Sequence, residues 1–192
     1  SIDGAVVVTN NGGYTATPGT YTITLEAAND TTATGTITVT VIPDNTIGIG
    51  TTHYVTASDY TIKVGDVLGT DTEILTNSGA KAYKLSDHTT DGTVSVTSNG
   101  GYGAVVGTYT ITLAAANDAT ATGTITITVI PDNTIATGTT HYITANNYTI
   151  KVGDVAGTDA EILTQSGATV YKLSEHLIDG TVGVPNSDGI AA

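Results

Sequence analysis

The heptapeptide Gly-Thr-Tyr-Thr-Ile-Thr-Leu occupies Gly19–Leu25 and returns at Gly107–Leu113, 88 residues further on. The same offset carries Asp3-Gly4 to Asp91-Gly92 and then to Asp179-Gly180 without a gap. Most replacements along it are mild, such as Val39 to Ile127 and Asp87 to Glu175. A period of this length far exceeds a solenoid turn and approaches one small domain. The 192 residues therefore hold about two copies of a single folding unit. Each lies near the lower end of sizes that bury an adequate core. Arrays of one unit supply reach, stiffness or avidity, whereas turnover rarely needs two near-copies in line.

Within the repeat, threonine alternates with apolar residues. Thr20-Tyr21-Thr22-Ile23-Thr24-Leu25 and Thr36-Ile37-Thr38-Val39-Thr40-Val41 put Thr on one face and the apolar set on the other. That period of two predicts half-buried β-strands. Further strands are expected at Gly4–Val8, His53–Ala57 and Tyr60–Val64. Turn chemistry separates them at Asn10-Asn11-Gly12-Gly13, Asn29-Asp30, Pro43-Asp44-Asn45 and Asn77-Ser78-Gly79. One segment departs from the alternation: Thr70-x-x-Glu73 and Thr158-x-x-Glu161 fit a capping box, each followed by Ile-Leu. Gly79 and Gly167 stand where a left-handed terminator belongs, so each repeat is expected to hold one short helix.

Composition narrows the partners. The net charge is −13, with five Lys and no Arg, so a polyanion such as nucleic acid is repelled and no basic stripe offsets that. An anionic lipid surface is disfavoured on the same ground. No apolar run has the length of a membrane span, so no membrane insertion is expected. There is no Cys, Met, Trp or Phe. Disulfide staples are excluded, and the ten Tyr must fill the larger gaps among Val, Ile, Leu and Ala. Ser1 opens directly into strand-like sequence, which suits a processed chain or a stretch of a longer one.

Pro43-Asp44-Asn45-Thr46 and Pro131-Asp132-Asn133-Thr134 each follow the longest strand and read as interdomain linkers. Phased on them, a complete module spans about 50–132. Residues 1–45 form the C-terminal half of one module, and 138–192 the N-terminal half of another. The alternative phase places modules at 3–90 and 91–178, with a tail strand at 179–192. The order YTIKVGD, EILxxSGAxxYKLS, DGTVSV, then GTYTITLxAANDxTATGTITVTV resembles the immunoglobulin-like (Big-type) repeats of bacterial cell-surface and adhesin proteins. That resemblance implies an all-β fold of tandem immunoglobulin-like β-sandwich modules, each closed by the GTYT strand and a final Thr/Val strand. The two chain ends together supply every element of one module. Half a sandwich exposes strand edges that seek a partner, so copies of this chain are expected to join head to tail. Asp179, Gly180, Thr181, Val182, Gly183 and Val184 form the candidate inter-subunit strand.

The candidate chemistry is sparse. His53/His141 and His88/His176 are expected at surfaces or strand ends, unclustered. No nucleophile elbow or local catalytic pattern occurs, so no enzyme is expected. No cofactor is called for beyond calcium, whose hard-oxygen preference suits the Asp/Asn turns; Asp44 and Asp132 are the candidate ligands. Lys63 and Lys151 are candidate crosslink residues by analogy with lysine–asparagine isopeptides in surface modules, although the closing strand 33–42 offers no Asn partner. The expectation is a structural component of a microbial cell-surface stalk, adhesin shaft or extracellular filament. The alternative is an adhesin module that binds a glycan or host protein through end loops, with Tyr14/Tyr102 as the only aromatic platform.

Overall fold

The computed structural model describes residues 4–155 and 158–185. Asp3, where the alternative phase starts, and residues 186–192 of the expected tail lie outside them. The chain is mostly β, in four small sheets with two short helices.

Residues before the first Pro-Asp-Asn turn form a three-stranded antiparallel sheet: β1 (Val6–Asn10), β2 (Gly19–Ala27) and β3 (Asp30–Val41), in that order. Next come β4 (Thr46–Ile49), β5 (His53–Thr56) and β6 (Tyr60–Lys63), then helix α1 (Asp71–Ser78) and β7 (Lys81–Lys84). Strands β4, β5 and β7 make one sheet. The rest of that repeat is β8 (Val94–Ser98), β9 (Gly107–Ala115) and β10 (Asp118–Ile130), whose sheet runs β6-β10-β9-β8. Here β6 pairs with β10 in parallel, Tyr60 opposite Ile127 and Lys63 opposite Ile130. The last sheet is β11 (Thr134–Thr137), β12 (His141–Thr144) and β13 (Thr169–Lys172), with α2 (Asp159–Ser166) before β13.

The copies agree down to their irregularities. β1 slips against β2 between Val8 and Asn10, and β8 slips against β9 between Val96 and Ser98. Likewise β4 slips at Thr46/Gly48 and β11 at Thr134/Ala136. The helices begin and end as their caps require. Thr70 and Thr158 hydroxyls accept from Glu73 N and Glu161 N at 3.2 Å. Gly167 closes α2 at φ 61°, and Gly79 takes φ 64° after α1.

The Pro-Asp-Asn segments form tight turns. Thr46 N donates to Pro43 O and Ala57 N to Asn45 O, which carries β3 directly into β4. Thr134 N and Ala145 N repeat both bonds on Pro131 O and Asn133 O. By contact the chain forms two compact units: 1–58 with 74–98 and 111–125, and 59–73 with 99–110 and 126–192.

In the first unit, Tyr54, Val55, Ile111, Leu113, Ala121 and Ile125 lie at 2% exposure or less. There β4 crosses β10 backbone against backbone. Gly48 lies on the Thr122 carbonyl, and Gly123 lies under the Ile47 carbonyl. Neither leaves room for a Cβ. In the second unit the core gathers on Ile127, Val129, Ile130 and Tyr142.

Candidate functional site

The densest polar cluster of the first unit forms where the turn before β5 meets the start of β10. Thr51-Thr52-His53 would leave free amides at such a turn, and Asp118 takes them. Its Oδ2 accepts from Thr52 N at 2.7 Å, His53 N at 3.1 Å, Thr52 Oγ1 at 3.1 Å and Thr51 Oγ1 at 3.2 Å. Its Oδ1 accepts from Thr120 N and the Thr120 hydroxyl. These bonds, the Thr120 hydroxyl's first, hold the Asp118 carboxyl far below the usual carboxylate range.

His53 completes the cluster at 6% exposure. Its Nε2 lies 3.0 Å from Asp91 Oδ2, and its Nδ1 lies 2.8 Å from Thr52 Oγ1. The carboxylate favours the hydrogen on Nε2, which leaves Nδ1 as an acceptor for the threonine hydroxyl. Lys84 Nζ stands 3.7 Å from the same Asp91 oxygen. The His53 bond, then Lys84, lowers the Asp91 carboxyl against some burial. In the second unit Thr140, His141 and Asp179 repeat the arrangement at 2.8 and 3.1 Å.

A Thr-His-Asp chain has the form of an activated hydroxyl, but its surroundings do not suit acyl transfer. A developing oxyanion needs free donors beside the nucleophile. The amides of Thr52 and His53 already bond to Asp118. The Thr52 hydroxyl also has one hydrogen for two acceptors.

The other two histidines form a second repeated set. His88 Nδ1 lies 3.3 Å from Tyr54 Oη, and its Nε2 lies 3.2 Å from Thr20 Oγ1. His176 does the same with Tyr142 and Thr108, at 3.3 Å each. Tyr54 stacks on Tyr83 with centroids 5.2 Å apart, as Tyr142 does on Tyr171. Burial raises the Tyr54 and Tyr142 hydroxyls and lowers His176.

In the second unit Glu73, 7% exposed, closes the entry to α1. Its carboxylate accepts from Leu68 N and Gly69 N at 2.9 Å and from the Tyr102 hydroxyl at 3.2 Å. The capping box is therefore half formed: Thr70 caps Glu73, while the glutamate turns to the preceding loop. Burial, then Tyr60 and Glu73, pushes the Tyr102 hydroxyl far up.

No protein-family model matches this chain, and no curated protein does.

The sequence-derived candidates fall in plainer places. Asp132 Oδ1 accepts from Gly65 N at 2.6 Å, and Lys63 Nζ donates to the Asp132 carbonyl at 3.2 Å. Asp44 is exposed in its turn. Among the described residues no group of three or more His, Asp or Glu is arranged to hold a metal ion. Lys63 is half-buried and Lys151 exposed. Asp179 is tied by His141 and by its own N–H to Val170 O. Beyond Gly180, the segment Thr181, Val182, Gly183 and Val184 joins no sheet, although its burial alternates as a strand's would.

His53 stands at a strand end, as the first residue of β5, and it is buried and paired there because Asp91, 38 residues away, reaches its Nε2. One expectation is corrected. Tyr102 cannot serve as a platform, because its ring is 6% exposed and its hydroxyl is held by Glu73. Tyr14, its counterpart, is 52% exposed. The clusters at Asp118 and Glu73 escaped sequence reasoning, since neither acid has a local motif beyond the capping box.

Proposed function

We propose that the chain is a stretch of a structural array: immunoglobulin-like β-sandwich modules in line, forming a microbial cell-surface stalk, adhesin shaft or extracellular filament. The observation that carries this reading is the repeated contact between one repeat and the next. Thr20 with His88, and Thr108 with His176, make the same bond 88 residues apart. Repeats that carry the same contact to the next repeat can be added along one axis, as in a shaft. The polar side chains support it too, because those of Asp118, Glu73, Thr70 and Thr158 tie loops and helix caps.

Growth by half-module complementation belongs to the same proposal. Val6, Val8 and Ile37 on the first sheet are 70%, 59% and 48% exposed. Val94 and Ile125, the counterparts of Val6 and Ile37, are 9% and 2% exposed in the complete repeat, and Val96, that of Val8, is half-buried, so among the described residues the first sheet lacks a cover. Residues from 134 onward of a second copy would supply it, with Asp30 taking the place of Asp118 on Thr140 and His141. Ala136 stands where Gly48 does, so the backbone crossing must open in such a joint. The tail from Asp179 to Val184 is the alternative donor, as an added strand.

Electron micrographs of the purified chain test both parts. Regular rods or filaments are the expected result, with polymer growth on concentration if complementation operates. Dispersed compact particles at every concentration would refute the complementation. Selective capture of a glycan, abolished by Tyr14→Ala, would favour the binding module that the exposure of Tyr14 suggests.

A further inference from the structure

His88 and His176 are the only residues other than glycine with positive φ among the described residues, at 59° and 55°. L-residues are uncommon there, Asn, Asp and His being the non-glycine residues that adopt it most, and Gly occupies the site most easily. Such strain persists where the surroundings require that particular side chain. The local turn alone does not require histidine: His88 N bonds to Lys84 O, and the Asp87 carboxylate caps Thr89, both without the ring. What the ring adds is a bridge. One nitrogen faces Tyr54 of its own repeat and the other faces Thr20 of the preceding one.

The surroundings of that bridge explain why it matters. Beside it lies a cavity of about 590 Å³ lined by Thr20, Thr38, Thr40, Thr52, Lys84 and Ser86, among others. The matching cavity by His176 measures about 340 Å³, with Thr108, Thr126, Thr128, Thr140, Lys172 and Ser174 in the same places. Hydroxyl and ammonium groups stand there among apolar carbon, Leu85 and Leu173 included. Apolar contact is non-directional, so the angle of the boundary is set by directed bonds, which weaken steeply with distance and misalignment.

We propose that His88 and His176 are pins that set the angle between consecutive repeats, each held in a left-handed conformation so that one imidazole joins a tyrosine of its own repeat to a threonine of the repeat before. The proposal rests on the array reading and adds to it the element that makes the array stiff. Glycine at position 88 relaxes the backbone strain and removes the bridge, so it separates the two roles of the residue.

The test uses the full chain, which has no native cysteine. Spin labels at Thr36→Cys on β3 and Lys81→Cys on β7 report across the first joint by pulsed dipolar spectroscopy. The unsubstituted joint gives one narrow distance peak. His88→Gly is expected to broaden it. Thr20→Val, which leaves the turn untouched, is expected to broaden it as well, and Thr20→Ser to restore the narrow peak. An unchanged narrow peak in His88→Gly, or a broad peak before any substitution, overturns the pin. The array reading stands or falls separately, on the micrographs.

Discussion

Alanine at Gly123 would place a methyl group well inside contact distance of the Ile47 carbonyl, with Gly48 N only 3.0 Å away. Both neighbours are backbone, so no rotamer change relieves the clash, and β4 must lift from β10. Overpacking in a rigid core costs about 1–3 kcal/mol. With main chain on both sides we expect the upper end, about 3 kcal/mol. Gly35 provides the matched control. It holds the same place in the other copy, yet a Cβ there meets nothing within 4 Å. Its alanine should be neutral, or stabilising by about 0.4–1 kcal/mol through the unfolded chain. A loss of about 3 kcal/mol in a unit of this size lowers Tm by roughly 12–24 °C. Thermal melts followed by circular dichroism, with urea titrations to fix the free energies, measure both variants. If Gly123→Ala and Gly35→Ala agree within about 1 kcal/mol, the backbone crossing is not a tight constraint and the reasoning fails.

Three further outcomes follow from the same geometry. Tyr102→Phe removes a hydroxyl bonded to a buried carboxylate and should cost about 1.5–3 kcal/mol, whereas Tyr14→Phe should change stability by less than about 0.5 kcal/mol. Asp118→Ala frees the amides of Thr52 and His53 and should lower Tm clearly, while Asp30→Ala at dilutions where the chain is dispersed loses bonds to Thr32 and should not. Acid should act in two stages. Burial lowers the folded His176, partly opposed by a hydrogen bond from its ring to the Gly107 carbonyl, so its contribution is complete above about pH 6.5 and is lost as pH falls through the folded value. The Asp87, Asp91 and Asp118 carboxyls are lowered by their hydrogen bonds, so theirs is complete above about pH 4 and is lost below it. Melting curves between pH 8 and 3 check this, and His176→Asn should flatten the first stage alone.

The alternation of Thr with Val, Ile and Leu was enough to place β2 and β3, because side-chain direction in a strand has a period of two. The helices were equally legible from Thr70, Thr158, Gly79 and Gly167, since a cap bonds within a few residues. So was the repeat, which needs only comparison of the chain with itself. The short strands β4 and β7 were not. Each is four residues long and takes its place from β5 rather than from a pattern of its own.

Only the tertiary structure decided which distant groups meet. Asp118 holds amides some 65 residues earlier, Tyr102 reaches Glu73, and His88 bridges Tyr54 and Thr20. No local rule sets such distances, because each depends on how sheets cross and where loops return. The crossing also separates identical residues by role: Gly123 is required by the carbonyl over it, and Gly35 is not. Strand, turn and cap are short-range chemistry and can be read along the chain. Buried partners, strain at His88 and the fit of one repeat on the next are set by packing, which the linear order does not contain.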